Sequence, residues 1–160
     1  MTVRLAVLTI SDSGARGLRH DSSGDAIVAW AEGLGALVVE RAVVADDRVV
    51  IAAQLSRWAD EDFAHVVITT GGTGLGPRDI TPEATRSVIE REATGLAEAL
   101  RASGMKQTPR AALSRGVAGT RGDTLIVNLP GSTAAVVDGL NVLAPLLEHI
   151  AALLQGKTEH

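Results

Sequence analysis

The sequence predicts an α/β fold: a three-layer sandwich with a mainly parallel sheet, helices on both faces and an antiparallel hairpin or edge strand. Three observations support this class. Aliphatic runs typical of buried strands alternate with segments of helical periodicity, as in parallel sheets with right-handed crossovers. One Phe, two Trp and no Tyr occur among 160 residues, so the core must consist of Val, Leu, Ile and Ala. Two late apolar runs lie close enough to pair as a hairpin.

The first elements follow from the start of the chain. Val3 to Ile10 is mostly apolar, with one Arg near its start, and predicts a buried strand. The polar segment from Ser11 to Ser23 predicts a loop. A helix then begins at a cap from Ser22 or Ser23 and continues to about Leu34, where two nearby glycines end it.

A second strand and helix come next, followed by a third strand. Ala36 to Ala45 predicts the strand, and Asp46 and Asp47 begin a helix that continues to about Asp60. The apolar residues at helical spacing in that helix are Ile51, Leu55 and Trp58. Ala64 to Thr69 is mainly apolar and predicts the third strand.

The next predicted helix begins with a capping hydroxyl and a proline at the first helical position. These residues are Thr81 and Pro82. The helix is expected to reach about Glu90, to break near Gly95 and to resume as far as Met105.

A hairpin and a long helix complete the predicted fold. Ala111 to Ala118 and Thr124 to Leu129 are expected to pair around a turn at Gly119 to Asp123. The final helix follows Pro130 to Ser132, with a kink expected at Pro145. Its apolar stripe consists of Val136, Leu140, Leu143, Leu147, Ile150 and Leu154. That stripe is typical of a core helix, and part of it could be an oligomer interface.

Composition excludes several classes of function. The net charge is −4 and basic residues form no run, which argues against nucleic-acid or anionic-membrane binding. The absence of cysteine excludes disulfides and thiolate chemistry and fits a cytoplasmic protein. No signal-peptide pattern or run of 18 apolar residues occurs. The expected organisation is one domain over residues 1–160.

A glycine-rich segment is the strongest chemical signal. Four of the 17 glycines lie between Gly71 and Gly76, directly after a predicted strand and before a helix. Glycines let backbone N–H groups approach phosphate oxygens, and Thr70 and Thr73 add hydroxyl donors. The segment is not a Walker A loop, because Pro77 stands where that motif has lysine. The alternative is a tight strand-to-helix turn, although a turn alone rarely needs four glycines.

Three aspartates follow the three predicted parallel strands. Asp12, Asp46 and Asp79 would therefore lie at the same carboxyl edge of the sheet. Carboxylates beside phosphates are favourable when Mg²⁺ lies between them. Taken singly, each of the three could be a helix cap or a solvated acid, and Asp47 could simply cap its helix.

Further polar residues could bind anions at this edge. Arg78 and Arg115 are candidate phosphate ligands, with exposed surface arginine as the alternative. Ser114 precedes Arg115, and the Asn128 to Ser132 break opens the last helix, whose N-terminus could bind an anion or be a simple capped turn. The histidines, none at metal-ligand spacing, are His20, His65, His149 and His160.

Together these segments resemble the molybdenum cofactor biosynthesis family of MogA, MoaB and the gephyrin G domain. The stretch most specific for that family is Thr69-Thr-Gly-Gly-Thr-Gly74 followed by Arg78-Asp-Ile-Thr-Pro82. The other matching segments are Thr9-Ile-Ser-Asp12, Asp21-Ser-Ser-Gly24, Val44-Ala-Asp-Asp47, Ser114-Arg115 and Asn128-Leu-Pro-Gly131. They occur in order over residues 3 to about 150.

The resemblance implies molybdopterin adenylyltransferase activity, with ATP and molybdopterin as substrates and Mg²⁺ as cofactor. By position, Asp46 and Asp79 match the catalytic acids and would hold the Mg²⁺. The implied binding residues are Ser11, Asp12, Gly24, Thr70, Gly71, Gly72, Thr73, Gly74, Arg78, Ser114, Arg115, Pro130, Gly131 and Ser132. The family also implies a homotrimer or hexamer and a downstream molybdenum-insertion protein.

Two departures and two alternatives accompany this resemblance. Ala45 stands where many relatives have proline, and Gly131-Ser-Thr133 replaces a Gly-Asn-Pro or Gly-Gln-Pro turn. The second change affects the fine contacts with the ligand, but neither removes a catalytic acid. One alternative is a non-catalytic MoaB-type molybdopterin-binding paralogue. The other is a scaffold of the gephyrin type, against which the absence of a linker argues.

Overall fold

The computed structural model describes residues 1–157 and contains one six-stranded sheet. Its strands are β1 (Arg4–Ile10), β2 (Leu37–Val44), β3 (Val66–Thr70), β4 (Arg91–Glu92), β5 (Ala118–Arg121) and β6 (Thr124–Leu129). The spatial order is β2-β1-β3-β6-β5-β4. The first four strands in that order are parallel, whereas β5 and β4 join antiparallel at the edge.

Helices cover both faces of the sheet. They are α1 (Asp12–Ala15), α2 (Ser22–Gly33), α3 (Arg48–Asp60), α4 (Thr81–Arg86), α5 (Thr94–Met105), α6 (Thr133–Leu143) and α7 (Leu147–Leu154). Short 3₁₀ turns occupy Pro109–Leu113 and Ala144–Leu146. Residues of α2, α5, α6 and α7 pack on one face, and residues of α3 and α4 on the other. The predicted three-layer sandwich with a mainly parallel sheet is therefore confirmed.

The core is aliphatic, as the composition requires. All five residues of β3 and all six of β6 are buried, because these strands have neighbours on both sides and helices on both faces. Alternate residues of each strand enter opposite core layers; Val66 and Ile68, for example, face α2 and α6, whereas Val67 faces α3. Trp58 is the one large aromatic side chain that is fully buried in the α3 layer. Burying one Val, Leu or Ile side chain of this core contributes about 2 kcal/mol relative to leaving it exposed.

Two predictions about the first helices were wrong. The segment expected to be a loop contains α1, which Ser11 caps by accepting a hydrogen bond from the Gly14 amide (3.1 Å). The cap of α2 is neither Ser22 nor Ser23 but Asp21, whose Oδ1 accepts from the Gly24 amide at 3.0 Å. A carboxylate is as good a cap as a hydroxyl, so the local sequence left several candidates.

Further differences lie between residues 86 and 121. The predicted helix to Glu90 ends at Arg86, and the chain enters β4 before α5 begins. The expected strand from Ala111 is wrong, because the segment that begins at Pro109 is a 3₁₀ turn and β5 begins only at Ala118. The hairpin itself is confirmed, but the turn is shorter than expected. Gly119 belongs to β5, where it pairs with Glu92 of β4, and the turn lies nearer Gly122, whose φ is 54°.

The segment Thr133–Leu154 is long and apolar enough, by composition, to cross a membrane. It is interrupted by the 3₁₀ turn that contains Pro145, which confirms the expected kink. Its buried residues pack against the sheet and α2 as a core helix; they are Val136, Gly139, Leu140, Leu143, Leu147 and Ala151.

Candidate active site

The loops after β1, β2, β3 and β6 meet at the carboxyl edge of the sheet. The Gly71 amide donates to the Leu129 carbonyl at 3.1 Å, and the Thr70 hydroxyl donates to the Pro130 carbonyl at 2.7 Å. A Cβ built on Gly131 would lie 3.4 Å from Cα of Gly71. The turn before α6 is thus packed directly against the segment Gly71–Gly76, hereafter the glycine loop.

The glycine loop begins with two residues in left-handed backbone conformation. Gly71 and Gly72 have φ values of 102° and 69°. A Cβ on Gly71 would lie 2.3 Å from the carbonyl oxygen of Ile10, so no side chain fits there. The Thr81 hydroxyl, predicted to cap α4, instead donates to the Gly71 carbonyl at 2.9 Å, and α4 has no side-chain cap. That prediction was wrong because the hydroxyl fixes the loop.

Consecutive amides of the glycine loop have no protein partner. Within residues 1–157, the N–H groups of Gly72, Thr73, Gly74 and Leu75 donate no hydrogen bond, although Thr73 is only 5% exposed. Buried backbone donors are rarely left unpaired, and a concave run of them is the usual binding site for phosphate oxygens. The loop therefore has the form of an anion site as well as of a turn.

Asp12 and Asp46, which follow β1 and β2, are joined by two reciprocal hydrogen bonds. The Asp12 amide donates to Oδ2 of Asp46 at 2.9 Å, and the Asp46 amide donates to Oδ1 of Asp12 at 3.0 Å. Arg78 pairs with both oxygens of Asp12 at 2.9 and 3.0 Å and reaches the Asp46 carbonyl at 3.2 Å. Arg78 thus joins the segment after β3 to those after β1 and β2.

The electrostatic environments of these two acids differ. The hydrogen bonds from Arg78 lower the pKa of Asp12 below its ordinary value. Burial raises the pKa of Asp46, and the negative charges of Asp12 and Asp79 act in the same direction. A carboxylate whose ionisation is opposed by burial and by neighbouring acids is stabilised by a cation.

Asp79 contacts the later residues of the glycine loop. Its Oδ2 accepts from the Gly76 amide at 2.9 Å, and a Cβ on Gly74 or Gly76 would lie 2.9 or 2.8 Å from the same oxygen. A Cβ on Gly72 would lie 3.1 Å from Oδ1 of Asp46. The glycines therefore let both acids approach the loop closely, Asp46 at Gly72 and Asp79 at Gly74 and Gly76.

The fit of these acids to Mg²⁺ can be judged from their oxygens. In the part of the chain that the structure describes, Oδ1 of Asp46 and Oδ1 of Asp79 accept no hydrogen bond, whereas both oxygens of Asp12 are occupied by Arg78. Residues 1–157 contain no group of three His, Cys, Asp or Glu side chains arranged to hold a metal. Mg²⁺ usually binds through one or two carboxylates plus substrate phosphates and water, which two available oxygens fit.

The remaining predicted residues lie around this centre. Ser114 and Arg115 precede β5 and contact the glycine loop through the Arg115 amide, which donates to the Thr73 carbonyl at 2.8 Å. Gly24 is buried at the start of α2, where a Cβ would lie 2.1 Å from the Asp21 carboxylate. The structure thus places Gly24 in a helix cap at the rim. His160 lies outside the described residues.

Sequence inspection missed a polar network beside the rim. Oδ1 and Oδ2 of Asp21 both accept from the Thr9 hydroxyl at 2.9 Å, and Arg41 pairs with Asp21 at 3.0 Å and with Asp25 at 2.6 Å. The network joins β1, β2 and the first turn of α2. The signal in the sequence was Asp21, an acid that stands three residues before Gly24 and could therefore cap the helix.

A cleft of about 1140 Å³ opens from the glycine loop between α5 and α6. Predicted residues that line it are Gly72, Thr73, Gly74, Asp79, Ser114, Pro130, Gly131 and Ser132. Polar lining residues that the sequence had not indicated include Arg101, Gln107, Arg110, Asp138 and Asn141. Asp12 and Asp46 are not among the residues that line it.

A doubly wound sheet with a phosphate-type loop, paired acids and a large cleft at its carboxyl edge defines a ligand-binding α/β domain of the nucleotide-handling kind. The family described as "probable molybdopterin binding domain" matches residues 6–149. The chain belongs to this family.

Relatives and solved structures agree with this assignment. The chain is 38% identical to molybdopterin adenylyltransferase of Helicobacter pylori over 97% of its own length and 89% of the relative. It is 40% identical to the molybdenum cofactor synthesis protein cinnamon of Drosophila melanogaster, of which it spans only about a quarter (26%). The structure of the molybdopterin biosynthesis enzyme MoaB of Thermus thermophilus is similar, with a TM-score of 0.91 and 46% identity over 98% of both chains.

Proposed function

We propose that this protein functions in molybdenum cofactor biosynthesis as a molybdopterin adenylyltransferase. A phosphate oxygen of molybdopterin attacks the α-phosphorus of ATP, a new P–O bond forms, the bond to the β-phosphate breaks, and pyrophosphate leaves. The observation that supports this most directly is the glycine loop, in which four amides donate no hydrogen bond within residues 1–157 and which the carboxylates of Asp46 and Asp79 approach closely. Family membership and the adenylyltransferase relatives support the choice of substrates.

The residues fit a reaction that needs positioning more than acid–base chemistry. The nucleophile is an ionised phosphate oxygen, so no strong base, cysteine or histidine is required. The loop amides and the turn Pro130–Ser132 would bind phosphate oxygens, and a preorganised array of such donors stabilises charge that develops during transfer. Ser11, Asp12 and Gly24 shape the rim beside them, and Ser114 lines the cleft.

Asp46 and Asp79 are the residues we expect to hold Mg²⁺, each through its available Oδ1. Bound there, the cation supplies neutralisation of phosphate charge. It would also offset the burial and like-charge repulsion that raise the pKa of Asp46. The cleft of about 1140 Å³ is larger than an average small-molecule site, which fits two substrates bound at once.

Substituting each acid by its amide tests these roles. Asp46→Asn and Asp79→Asn should each lower kcat by roughly 10²–10³-fold, the usual effect of removing one charge-stabilising group. Melting temperatures should stay close to that of the unsubstituted protein, because burial already disfavours ionised Asp46. Asp47→Asn is the matched control: Asp47 caps α3 through the Val49 and Val50 amides, and asparagine caps equally well.

The assay is pyrophosphate release and adenylylated product from Mg-ATP and molybdopterin. Normal turnover in both acid variants would show that the roles are wrongly assigned. Binding of molybdopterin by the unsubstituted protein without any ATP-dependent product would instead favour the non-catalytic MoaB-type paralogue.

We further expect one domain over residues 1–160, a cytoplasmic location, a homotrimer or hexamer, and a downstream molybdenum-insertion protein as acceptor of the product. Exposed apolar residues of the last helical segment, Leu146 and Leu153, are available for a subunit interface. Sedimentation that shows a monomer at micromolar concentration would contradict the oligomer.

A further inference from the structure

The guanidinium of Arg115 is occupied by the protein itself. Its Nε donates to the Gly74 carbonyl at 2.8 Å, its Nη2 donates to the Asp79 carbonyl at 2.6 Å, and its Nη1 pairs with Oε1 of Glu83. Its backbone amide also holds the Thr73 carbonyl. All three side-chain nitrogens therefore face the glycine loop and α4.

The backbone on both sides of Arg115 is held by another arginine side chain. Arg101, on α5, donates through Nη1 to the Gly116 carbonyl at 2.8 Å and to the Ser114 carbonyl at 3.3 Å. The carbonyls on both sides of Arg115 are thus held by a second arginine. A chain of contacts connects α5, the segment before β5 and the glycine loop.

The two carboxylate oxygens of Glu83 have different surroundings. Its Oε1 pairs with Arg115, but its Oε2 is buried and accepts no hydrogen bond from residues 1–157. A buried carboxylate oxygen without a donor is unfavourable and calls for a structural or functional explanation. The hydrogen bond from Arg115 lowers the pKa of Glu83, so the pair stays ionised at neutral pH.

We propose that Arg115, oriented by Glu83, is a positioning residue: it fixes the part of the glycine loop between Gly74 and Asp79, and thereby the Asp79 carboxylate, and does not bind a substrate phosphate. This inference rests on the adenylyltransferase function. Transfer between two phosphates depends on geometry, and a small displacement of one catalytic group is costly. The planar fork of arginine makes three directed bonds that the single ammonium of lysine cannot reproduce.

Arg115→Lys separates positioning from phosphate binding. A phosphate ligand would tolerate lysine, which keeps the point charge, or would raise the KM for Mg-ATP. A positioning residue should instead lose kcat by roughly 10²-fold while KM changes by less than about twofold. Glu83→Gln keeps an acceptor without the charge and should lower kcat in the same direction by roughly tenfold.

Arg121→Lys is the matched control. Arg121 also makes three side-chain bonds, to both oxygens of Asp60 at 2.9 and 3.1 Å and to the Val88 carbonyl at 2.9 Å, but near the amino end of β6, far from the loop. It should lose a comparable number of hydrogen bonds with unchanged kcat. An equal loss of kcat in Arg121→Lys, or a raised KM with unchanged kcat in Arg115→Lys, would overturn the proposal.

Hydrogen exchange gives a second measurement that does not depend on activity. The hydrogen-bonded amides of Gly76 and Asp79 should exchange at least several-fold faster in Arg115→Lys and Glu83→Gln than in Arg121→Lys and the unsubstituted protein. Unchanged exchange there would contradict the positioning role. If the unsubstituted protein forms no adenylylated product, the proposed function fails, and the exchange measurement alone then decides the role of Arg115.

Discussion

At the scale of single residues, the site depends on positions where only glycine fits. Gly71 combines a φ of 102° with a Cβ position 2.3 Å from the Ile10 carbonyl oxygen, so an alanine there must displace backbone of β1 or of the loop. Gly95, in the first turn of α5, has nothing within 4 Å of its Cβ position and an ordinary φ. Gly71 directly follows a strand and is tightly constrained, whereas Gly95 has open space around its Cβ position.

Gly71→Ala should lower the free energy of unfolding by about 3 kcal/mol, from left-handed strain plus the contact with Ile10. Gly95→Ala should raise it by up to about 1 kcal/mol, because alanine has the higher helix propensity and restricts the unfolded chain. Urea denaturation of both variants measures these changes. A Gly71→Ala protein as stable as the unsubstituted one would show that the loop can relax.

At the scale of elements, α2 is joined to the sheet by the carboxylate that caps it. Asp21 accepts from the Gly24 amide, from the Thr9 hydroxyl and from Arg41, and its side chain is only 13% exposed. Asp25 also pairs with Arg41 but caps nothing and is 48% exposed. Comparing substitutions of Asp21 and Asp25 separates the contribution of the helix cap from that of an exposed ion pair.

Asp21→Ala should cost about 1–2 kcal/mol of stability, because it leaves the Gly24 amide and the buried Thr9 hydroxyl without an acceptor. Asp25→Ala should cost less than about 1 kcal/mol, the usual value of an exposed ion pair. Thermal unfolding followed by circular dichroism compares the two variants. Equal losses would indicate that the cap contributes nothing beyond its charge.

The elements also show what the sequence can and cannot predict. The strands Arg4–Ile10 and Val66–Thr70 were found because both faces of each are buried, which produces continuous apolar runs. The strand Arg91–Glu92 was missed because its two exposed residues have no apolar pattern and pair only because β5 offers a free edge. Asp46 and Asp79 were predicted from their place after strands.

The bonds that organise the site were not predictable in the same way. Arg115 was a candidate phosphate ligand, with exposed surface arginine as the alternative, and its observed partners lie up to 41 residues away along the chain. Local patterns give the residue and the edge of the sheet at which it lies, whereas the direction of a long side chain is decided by tertiary packing. The prediction that Thr81 caps α4 was wrong because tertiary packing directs its hydroxyl to the Gly71 carbonyl.

At the scale of the whole molecule, a buried histidine joins the beginning of the chain to its end at the amino edge of the sheet. His65 is 4% exposed, its Nδ1 accepts from the Arg4 amide at 2.9 Å, and its Nε2 lies 2.7 Å from the side-chain amide of Gln155, just after α7. Burial, and then the charge of Arg4, lower the pKa of His65 below its ordinary value. The folded protein therefore favours the neutral ring.

Stability should fall as the pH drops below about 6.5, the ordinary pKa of histidine. In that range His65 binds a proton in the unfolded chain but stays neutral in the folded protein. The free energy of unfolding therefore decreases as the pH falls towards the lowered pKa of the folded state. His65→Asn does not titrate, and its amide oxygen can accept from Arg4 as Nδ1 does. Urea denaturation of both proteins between pH 5 and pH 8 measures the difference. The variant should show the smaller decline; equal slopes would mean that carboxylates elsewhere control the acid response.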